Sequence, residues 1–139
     1  MIFWIASYPK SGNTWLRALI SSYFYSEDGF FSKEVLKNID QFPEKIHFEG
    51  LEYNKKNITD TTKLWIIAQE RINKDKKVKF FKTHNIHGSI NNFNFTNNKN
   101  TLACIYIVRD TRNVITSLKN HYELSHNEAF DLMINERKY

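Results

Sequence analysis

The stretch SYPKSGNTWLRAL, residues 7–19, joins an apolar run to a helical pattern, and it is the part of the chain that decides the predicted fold. The run before it, residues 2–7, is typical of a short buried strand, and Pro9 with Gly12 indicates a turn. From Thr14 onward a set of apolar residues recurs with helical spacing, and we expect this stripe to face the core: Leu16, Leu19, Ile20, Tyr23 and Phe24. The sequence therefore predicts a strand, a turn and a helix in direct succession.

Two further strands are predicted downstream. KKVKFFKTH, residues 76–84, reads as a strand, and the Asn-rich residues 85–100 read as a surface loop with a minor hairpin. TLACIYIV, residues 101–108, is continuously apolar and rich in β-branched residues, which predicts a central parallel strand buried on both faces. Its Cys104 is accordingly expected to be an inert, buried thiol.

Helices are expected around these strands, near residues 32–38, over 61–73, from about 112 with Asp110 or Thr111 as cap, and from Ser125. In the second of them, Leu64, Ile67, Ala68 and Ile72 fall on one face. Buried strands that alternate with helices indicate an α/β fold, a three-layer sandwich around a central parallel sheet, formed by one domain over residues 1–139. In such sheets, ligands bind at the carboxyl ends of the strands.

Composition narrows the class of protein. The 139 residues are 41% hydrophobic, and the formal net charge of +5 favours anionic partners. Fifteen of the 20 cations are Lys and Asn is frequent, so a general compositional bias would give the same charge. The cations match no nucleic-acid-binding pattern, and no apolar run approaches the roughly 20 residues of a membrane span. The single cysteine and the lack of a secretory signal favour a cytoplasmic location.

The loop after the first predicted strand suits a phosphate group. A helix amino terminus presents unpaired N–H groups and partial positive charge, and Gly12 lets the backbone approach a ligand closely. Lys10 adds a full charge, and three further donors surround it: Ser11, Asn13 and Thr14. Because the Lys precedes the Gly, this is not the GxxxxGK[ST] loop of nucleoside triphosphatases. An ordinary turn and helix cap is the alternative interpretation.

The segment RDTRN, residues 109–113, supplies a candidate second anion site. Arg109 ends a predicted strand, and Ser117 lies eight residues later in the following helix. An Arg can bind a phosphate through two hydrogen bonds, and a Ser adds a hydroxyl donor. The alternative is that Arg109 pairs with a carboxylate, such as that of the adjacent Asp110.

Three motifs together carry a resemblance to a known family. YPKSGNTW resembles the 5′-phosphosulfate loop of sulfotransferases that use 3′-phosphoadenosine 5′-phosphosulfate (PAPS), and IYIVRDTRNVITS resembles their 3′-phosphate segment. Between them, FFKTH is similar to the segment that carries the family's catalytic histidine. The resemblance extends from residue 2 to about residue 124 and implies the P-loop-like sulfotransferase fold.

The resemblance also implies roles for individual residues. Lys10 would hold the 5′-phosphosulfate and neutralise the leaving phosphate, within a cradle completed by Ser11, Gly12, Asn13 and Thr14. The family usually has Thr where Asn13 stands. Trp15 would stack beside the adenine, although packing is a competing role for it, and Arg109 with Ser117 would bind the 3′-phosphate. His84 would be the general base that takes a proton from a hydroxyl or amine acceptor. Lys10 and Lys82 would then suffice as cations, and no metal is expected.

Other interpretations stay open at this point. The family has a further carboxyl-terminal Arg-Lys-Gly segment, whereas Arg137 and Lys138 are followed by Tyr139, so we expect a fragment that is inactive alone or a minimal form. A P-loop-like nucleotide kinase and a non-catalytic nucleotide- or polyanion-binding module are the competing functions. The acceptor could be a small molecule, a lipid, a carbohydrate or a protein, and the oligomeric state is open.

Overall fold

A computed structural model describes residues 1–85 and 87–135, and a four-stranded parallel sheet lies at its centre. Its strands are β1 (Ile2–Ser7), β2 (Asp40–Gln41), β3 (Lys79–Thr83) and β6 (Thr101–Ile107). They are ordered β2-β3-β1-β6, and every neighbouring pair is parallel. A separate antiparallel hairpin consists of β4 (Ser89–Ile90) and β5 (Phe93–Asn94). The α/β fold with a central parallel sheet and the minor hairpin are thus confirmed.

Helices connect and flank the strands. They are α1 (Asn13–Tyr25), α2 (Lys33–Leu36), α3 (Trp65–Ile72), α4 (Thr111–Tyr122) and α5 (His126–Ile134), with 3₁₀ turns at Lys45–Phe48, Ile58–Leu64 and Asn73–Asp75. The Asp110 side chain accepts from the Arg112 N–H and caps α4, as expected. Ser125 and Glu128 form the expected capping box at α5. None of the helices among the described residues has the length and apolar character needed to span a membrane.

The main core lies on the face of the sheet from which Trp4 projects. The Trp4 ring is 5.1 Å from that of Phe95 and 6.1 Å from that of Phe81, and α3 closes the cluster through Trp65 and Ala68. Ile67, which was expected in this core, is exposed, because α3 turns Trp65 inward in its place. Buried aromatic side chains of this size dominate core energetics. The face with Trp4 is therefore the rigid side of the sheet.

Helix α1 covers the opposite face of the sheet. It is rotated about its own axis relative to the orientation that the apolar pattern predicts. The Phe24 ring centroid is 5.1 Å from that of Phe80, yet Phe24, Leu19 and Tyr23 are all exposed, contrary to the expected buried stripe. Asn13 and Ser21 are buried instead. The physical reason is that polar groups tether the helix, since the Asn13 amide and the Arg17 guanidinium both donate to backbone carbonyls of the sheet side.

Strand β6 differs most from its predicted environment. It lies at an edge of the sheet rather than in the centre, and most of its side chains are exposed, so the prediction of burial on both faces is wrong for the described residues. Cys104 is likewise an exposed free thiol rather than a buried one. A continuous apolar run shows that a strand tolerates burial, whereas the order of strands in the sheet decides which strand has neighbours on both sides.

Helices α4 and α5 form a second, smaller core from Val114, Leu118 and Ala129. Tyr8 connects this pair to the start of the chain, because its ring packs against the second core and its hydroxyl donates to the Met133 carbonyl at 3.2 Å. The α4–α5 pair therefore lies against the loop that follows β1. The Arg137-Lys138 pair lies outside the described residues.

Candidate active site

The three sequence segments with candidate chemistry lie at one edge of the sheet. Strands β3, β1 and β6 are parallel neighbours, so their carboxyl ends point the same way. We call residues 8–14 the first loop and residues 109–113 the third segment. His84 follows β3, so the first loop, after the central strand β1, lies between His84 and the third segment in the order of the sheet. The expected meeting of these segments is confirmed.

The backbone of the first loop is held in an unusual conformation. The Ser11 N–H donates to the Tyr8 carbonyl at 3.3 Å, which closes a turn with Pro9 in its second position. Lys10, in the third position, has a φ of 66°, and Gly12 has a φ of 101°. A positive φ at a lysine costs on the order of 1–3 kcal/mol and is often found at functional sites. No side chain caps the start of α1 at Gly12, so its first N–H groups are available to a ligand.

Asn13 fastens the first loop to the strand before it. Its side chain is 4% exposed, and its amide nitrogen donates to the Ile5 carbonyl at 2.9 Å and to Ser7 Oγ at 3.1 Å. A side-chain amide has two hydrogens, and both are used in these bonds. A contribution of Asn13 to a bound anion would therefore come through its backbone N–H, and its predicted binding role stays a prediction.

His84 is connected to the same strand end. Its Nδ1 is 2.7 Å from the Ser7 carbonyl oxygen and 3.3 Å from Ser7 Oγ. Because a carbonyl oxygen can only accept, Nδ1 must carry the proton in this contact. In the neutral ring, Nε2 is then the nitrogen with a free electron pair. Ser7 thus fixes the tautomer in which Nε2 can accept a proton.

The surroundings of His84 also favour its neutral form. Burial lowers its pKa below the usual histidine value, and the nearby positive charges of Lys82 and Arg17 act in the same direction. The hydrogen bond with the Ser7 backbone opposes this shift but does not reverse it. A neutral imidazole near pH 7 is what a general base requires.

Lys82 lies near the end of β3, on the face of the sheet opposite the main core. It pairs in register with Ile5 of β1, and its ammonium group donates to Gln41 Oε1 at 2.9 Å. Burial lowers the pKa of Lys82, and Arg17 adds to the effect. Lys82 is therefore a half-buried cation close to His84, and its predicted catalytic role stays a prediction.

Arg109 joins the third segment to the first loop. Its Nη1 donates to the Lys10 carbonyl at 2.9 Å, across 99 residues of sequence. The expected alternative, a pair between Arg109 and Asp110, is not what forms, because Asp110 binds Arg112 at 2.6 Å. A cavity of about 320 Å³ lies at this junction, with Tyr8 and Ser11 on one side and Arg109 with Thr111 on the other. An anion in this cavity would touch both the first loop and the third segment.

The remaining predicted residues are Thr14, Trp15 and Ser117, and none of them is among the residues that line this cavity. Thr14 and Trp15 are exposed at the start of α1, and Trp15 at 73% exposure is not packed in a core. Ser117 is half-buried on α4 and does not line the 320 Å³ cavity. The roles predicted for these three residues stay predictions. In residues 1–85 and 87–135, no His, Cys, Asp or Glu side chains are grouped in threes as metal ligands would be.

Three residues of this site were not found by sequence reasoning. Ser7 orients His84, Tyr8 lines the cavity and holds α5, and Thr111 lines the cavity opposite the first loop. Ser7 and Tyr8 shortly precede Lys10, and Thr111 shortly follows Arg109. The signal that could have found them is position alone, because hydroxyl side chains at the ends of parallel strands face the ligand edge.

Comparison with known proteins gave one finding. A family model described as "Sulfotransferase domain" matches residues 2–138, which is nearly the whole chain. No curated protein and no solved structure matched the chain.

Proposed function

The chain belongs to the sulfotransferase domain family, and on this premise we propose that it transfers a sulfuryl group from PAPS to a hydroxyl or amine of an acceptor. The proposal rests on two hydrogen bonds that connect the ends of three strands. His84 binds the Ser7 carbonyl at 2.7 Å, and Arg109 binds the Lys10 carbonyl at 2.9 Å. These contacts bring a neutral base, a phosphate-type loop and a second cation to one edge of the sheet.

The residues present fit the two phosphate groups of such a donor. The uncapped start of α1, the positive φ at Gly12 and the charge of Lys10 suit a 5′-phosphate. Arg109 borders the 320 Å³ cavity on the other side and suits a 3′-phosphate. When bound, PAPS supplies an activated sulfuryl group with a phosphate as its leaving group.

The proposed chemistry assigns one task to each group. His84 Nε2 takes the proton of the acceptor as the acceptor oxygen or nitrogen forms its bond to sulfur. The bond from sulfur to the bridging oxygen breaks, and that oxygen keeps the electron pair. Lys10 and the N–H groups at the start of α1 stabilise the charge that develops there, a type of contribution that is usually among the largest in catalysis. Positioning and electrostatics dominate in reactions of this kind.

The test is the conversion of PAPS to 3′-phosphoadenosine 5′-phosphate (PAP) with a panel of acceptors, namely a phenol, a lipid alcohol and a monosaccharide. We expect conversion that depends on the acceptor, with mass spectrometry detecting the sulfated product. His84→Ala should slow transfer by about 10²- to 10⁴-fold and leave PAP binding unchanged. PAP binding without turnover on any acceptor would support the binding module instead, and transfer of phosphate from ATP would support the kinase.

A further inference from the structure

A second cavity, of about 530 Å³, opens beside His84 on the Trp4 face of the sheet. Its wall is formed by Trp4, Ala6, Phe95, Cys104 and Tyr106, which come from β1, β6 and the segment after the hairpin. Resting on the proposed function, we propose that this cavity binds the acceptor, and that the acceptor is a compact, largely apolar molecule with one hydroxyl group, a phenol or an alcohol. A glycan is not the ligand that these walls would select.

The polar groups deep in the cavity already form hydrogen bonds with neighbouring side chains. The Thr96 hydroxyl donates to Gln69 Oε1 at 2.6 Å and lies 2.7 Å from Thr101 Oγ1. Thr101 Oγ1 also accepts from the Trp4 indole N–H at 3.0 Å. A bound sugar needs many partners for its hydroxyl groups, and an inner wall whose polar atoms are already paired leaves those hydroxyls unpaired at a cost of about 1–3 kcal/mol each. The inner wall therefore presents mainly carbon to a ligand.

The mouth of the cavity has the opposite character. His84 and Asn85 line it, and Nε2 of His84 is the ring nitrogen left free by the bond to Ser7. A ligand with one hydroxyl and an apolar body would place the hydroxyl at His84 and bury the body against Trp4 and Phe95. This arrangement matches the usual division of small-molecule sites into apolar walls and a few polar groups that fix orientation.

The size of the cavity points to the same class of ligand. Its volume of about 530 Å³ lies within the range of roughly 300–1,000 Å³ that is usual for sites of small organic molecules. Of the aromatic side chains around it, Trp4 and Phe95 belong to the main core and form a closely packed inner wall. A compact molecule is thus enclosed, whereas a polymer would require an extended polar groove.

Cys104 gives a direct test, because it lines the cavity and is the single cysteine of the chain. Its rate of alkylation by N-ethylmaleimide can be followed as one mass shift at mildly alkaline pH, because partial desolvation of this exposed side chain raises the pKa of the thiol. We expect 4-propylphenol to abolish alkylation along a single-site saturation curve. Methyl β-glucoside, a polar compound of similar size, should leave the rate unchanged.

A matched pair of variants locates the binding. Ala6 shares the cavity face with Trp4, whereas Ala103 pairs in register with Phe3 on the opposite face. Ala6→Leu should therefore remove protection by 4-propylphenol, and Ala103→Leu should retain it. Circular dichroism and a calorimetric titration with PAP test whether each variant is folded. If Ala6→Leu does not fold, the comparison of 4-propylphenol with methyl β-glucoside on the unaltered chain still tests the proposal.

Three outcomes would overturn the proposal: protection by the glucoside, no protection by the phenol, or equal protection by PAP alone. The last would assign the cavity to the nucleotide. Failure of the proposed function would give a different result. In a calorimetric titration, the chain would then bind PAP no more tightly than ADP. In that case, protection by the phenol would still establish an apolar alcohol site.

Discussion

The first loop and the third segment lie side by side, yet they are built in opposite ways. In the first loop, Ser11 and Asn13 are buried, and the strand end beneath it binds both Asn13 and His84. In the third segment, Arg109 and Arg112 are exposed, and one hydrogen bond ties Arg109 to the first loop. The first loop is fastened to the sheet through buried side chains, whereas the third segment makes its side-chain contacts among exposed groups.

This difference suggests a division of labour. A group that must stabilise a transition state works best when it is held in place before the reaction, because no reorganisation is then required. A group that selects a ligand can remain exposed and form its contacts on binding. We therefore infer that the first loop with His84 performs the chemistry and that Arg109 selects the nucleotide.

Within the two segments compared, the largest effect is expected at Lys10. Lys10→Gly removes the charge and relieves the positive φ of 66°, so transfer should slow by about 10²- to 10³-fold while the free energy of unfolding stays equal or rises. The rate of PAP formation and urea denaturation measure the two quantities.

Lys76 offers a matched control for this variant, because it too is a lysine at positive φ, 58°, but lies in the turn before β3. Lys76→Gly should relieve similar strain and leave the transfer rate unchanged. A Lys10→Gly variant that retains full activity would remove the first loop from the chemistry.

The next effect concerns the bonds that hold the first loop. Asn13→Ala removes the buried amide that donates to the Ile5 carbonyl and to Ser7 Oγ, so the free energy of unfolding should fall by about 1–3 kcal/mol. Urea denaturation measures this loss. Asn120→Ala, an exposed substitution on α4, is the control and should change stability by less than about 0.5 kcal/mol. Equal stability of the two variants would mean that the loop is not fastened as described.

A smaller effect is expected from pH. Burial lowers the pKa of both His84 and His47, so the unfolded chain binds protons more readily than the folded chain just below the ordinary histidine pKa of about 6.5. The free energy of unfolding should therefore fall as pH decreases from about 6.5 towards the lowered values. The transfer rate should persist to lower pH than an ordinary histidine would allow.

Urea denaturation over a pH series checks the prediction on stability, and each of His47→Asn and His84→Asn should remove part of the slope. His126→Asn, at the exposed start of α5, is the control for a surface histidine and should change the free energy of unfolding at pH 7 by less than about 0.5 kcal/mol. A free energy of unfolding that rises as the solution is acidified through this window would contradict the assigned direction.

The smallest effect is expected in the third segment. Arg112→Ala breaks the ion pair with Asp110, in which the Arg112 side chain is 87% exposed, and exposed pairs contribute little because solvent screens them. The urea midpoint should not move measurably. A clear loss of stability would show that the third segment is also held together by its own contacts.

Local signals explain most of what the sequence could predict. The strand Ile2–Ser7, the cap at Asp110 and the capping box at Ser125 depend on neighbouring residues, and all three are found as expected. The strand-end positions of Lys10, His84 and Arg109 also follow from the strand pattern, because parallel strands end at one edge. The meeting of these three segments was therefore predictable.

What could not be predicted depends on contacts between distant parts of the chain. The rotation of α1 follows from Asn13 and Arg17 bonding to sheet-side carbonyls, which the apolar spacing does not reveal. The edge position of β6, and hence the exposure of Cys104, follows from strand order. The bond from Ser7 to His84 spans 77 residues and has no local signature.

The most direct test of the division of labour is calorimetric titration with PAP and with ADP, on the unaltered chain and on Arg109→Ala. Because hydrogen bonds to charged groups contribute about 1.5–3 kcal/mol, the unaltered chain should prefer PAP by roughly 10- to 100-fold. Arg109→Ala should bind PAP and ADP equally, with its ADP affinity unchanged. An unaltered chain without this preference, or an Arg109→Ala variant that keeps it, would contradict the account.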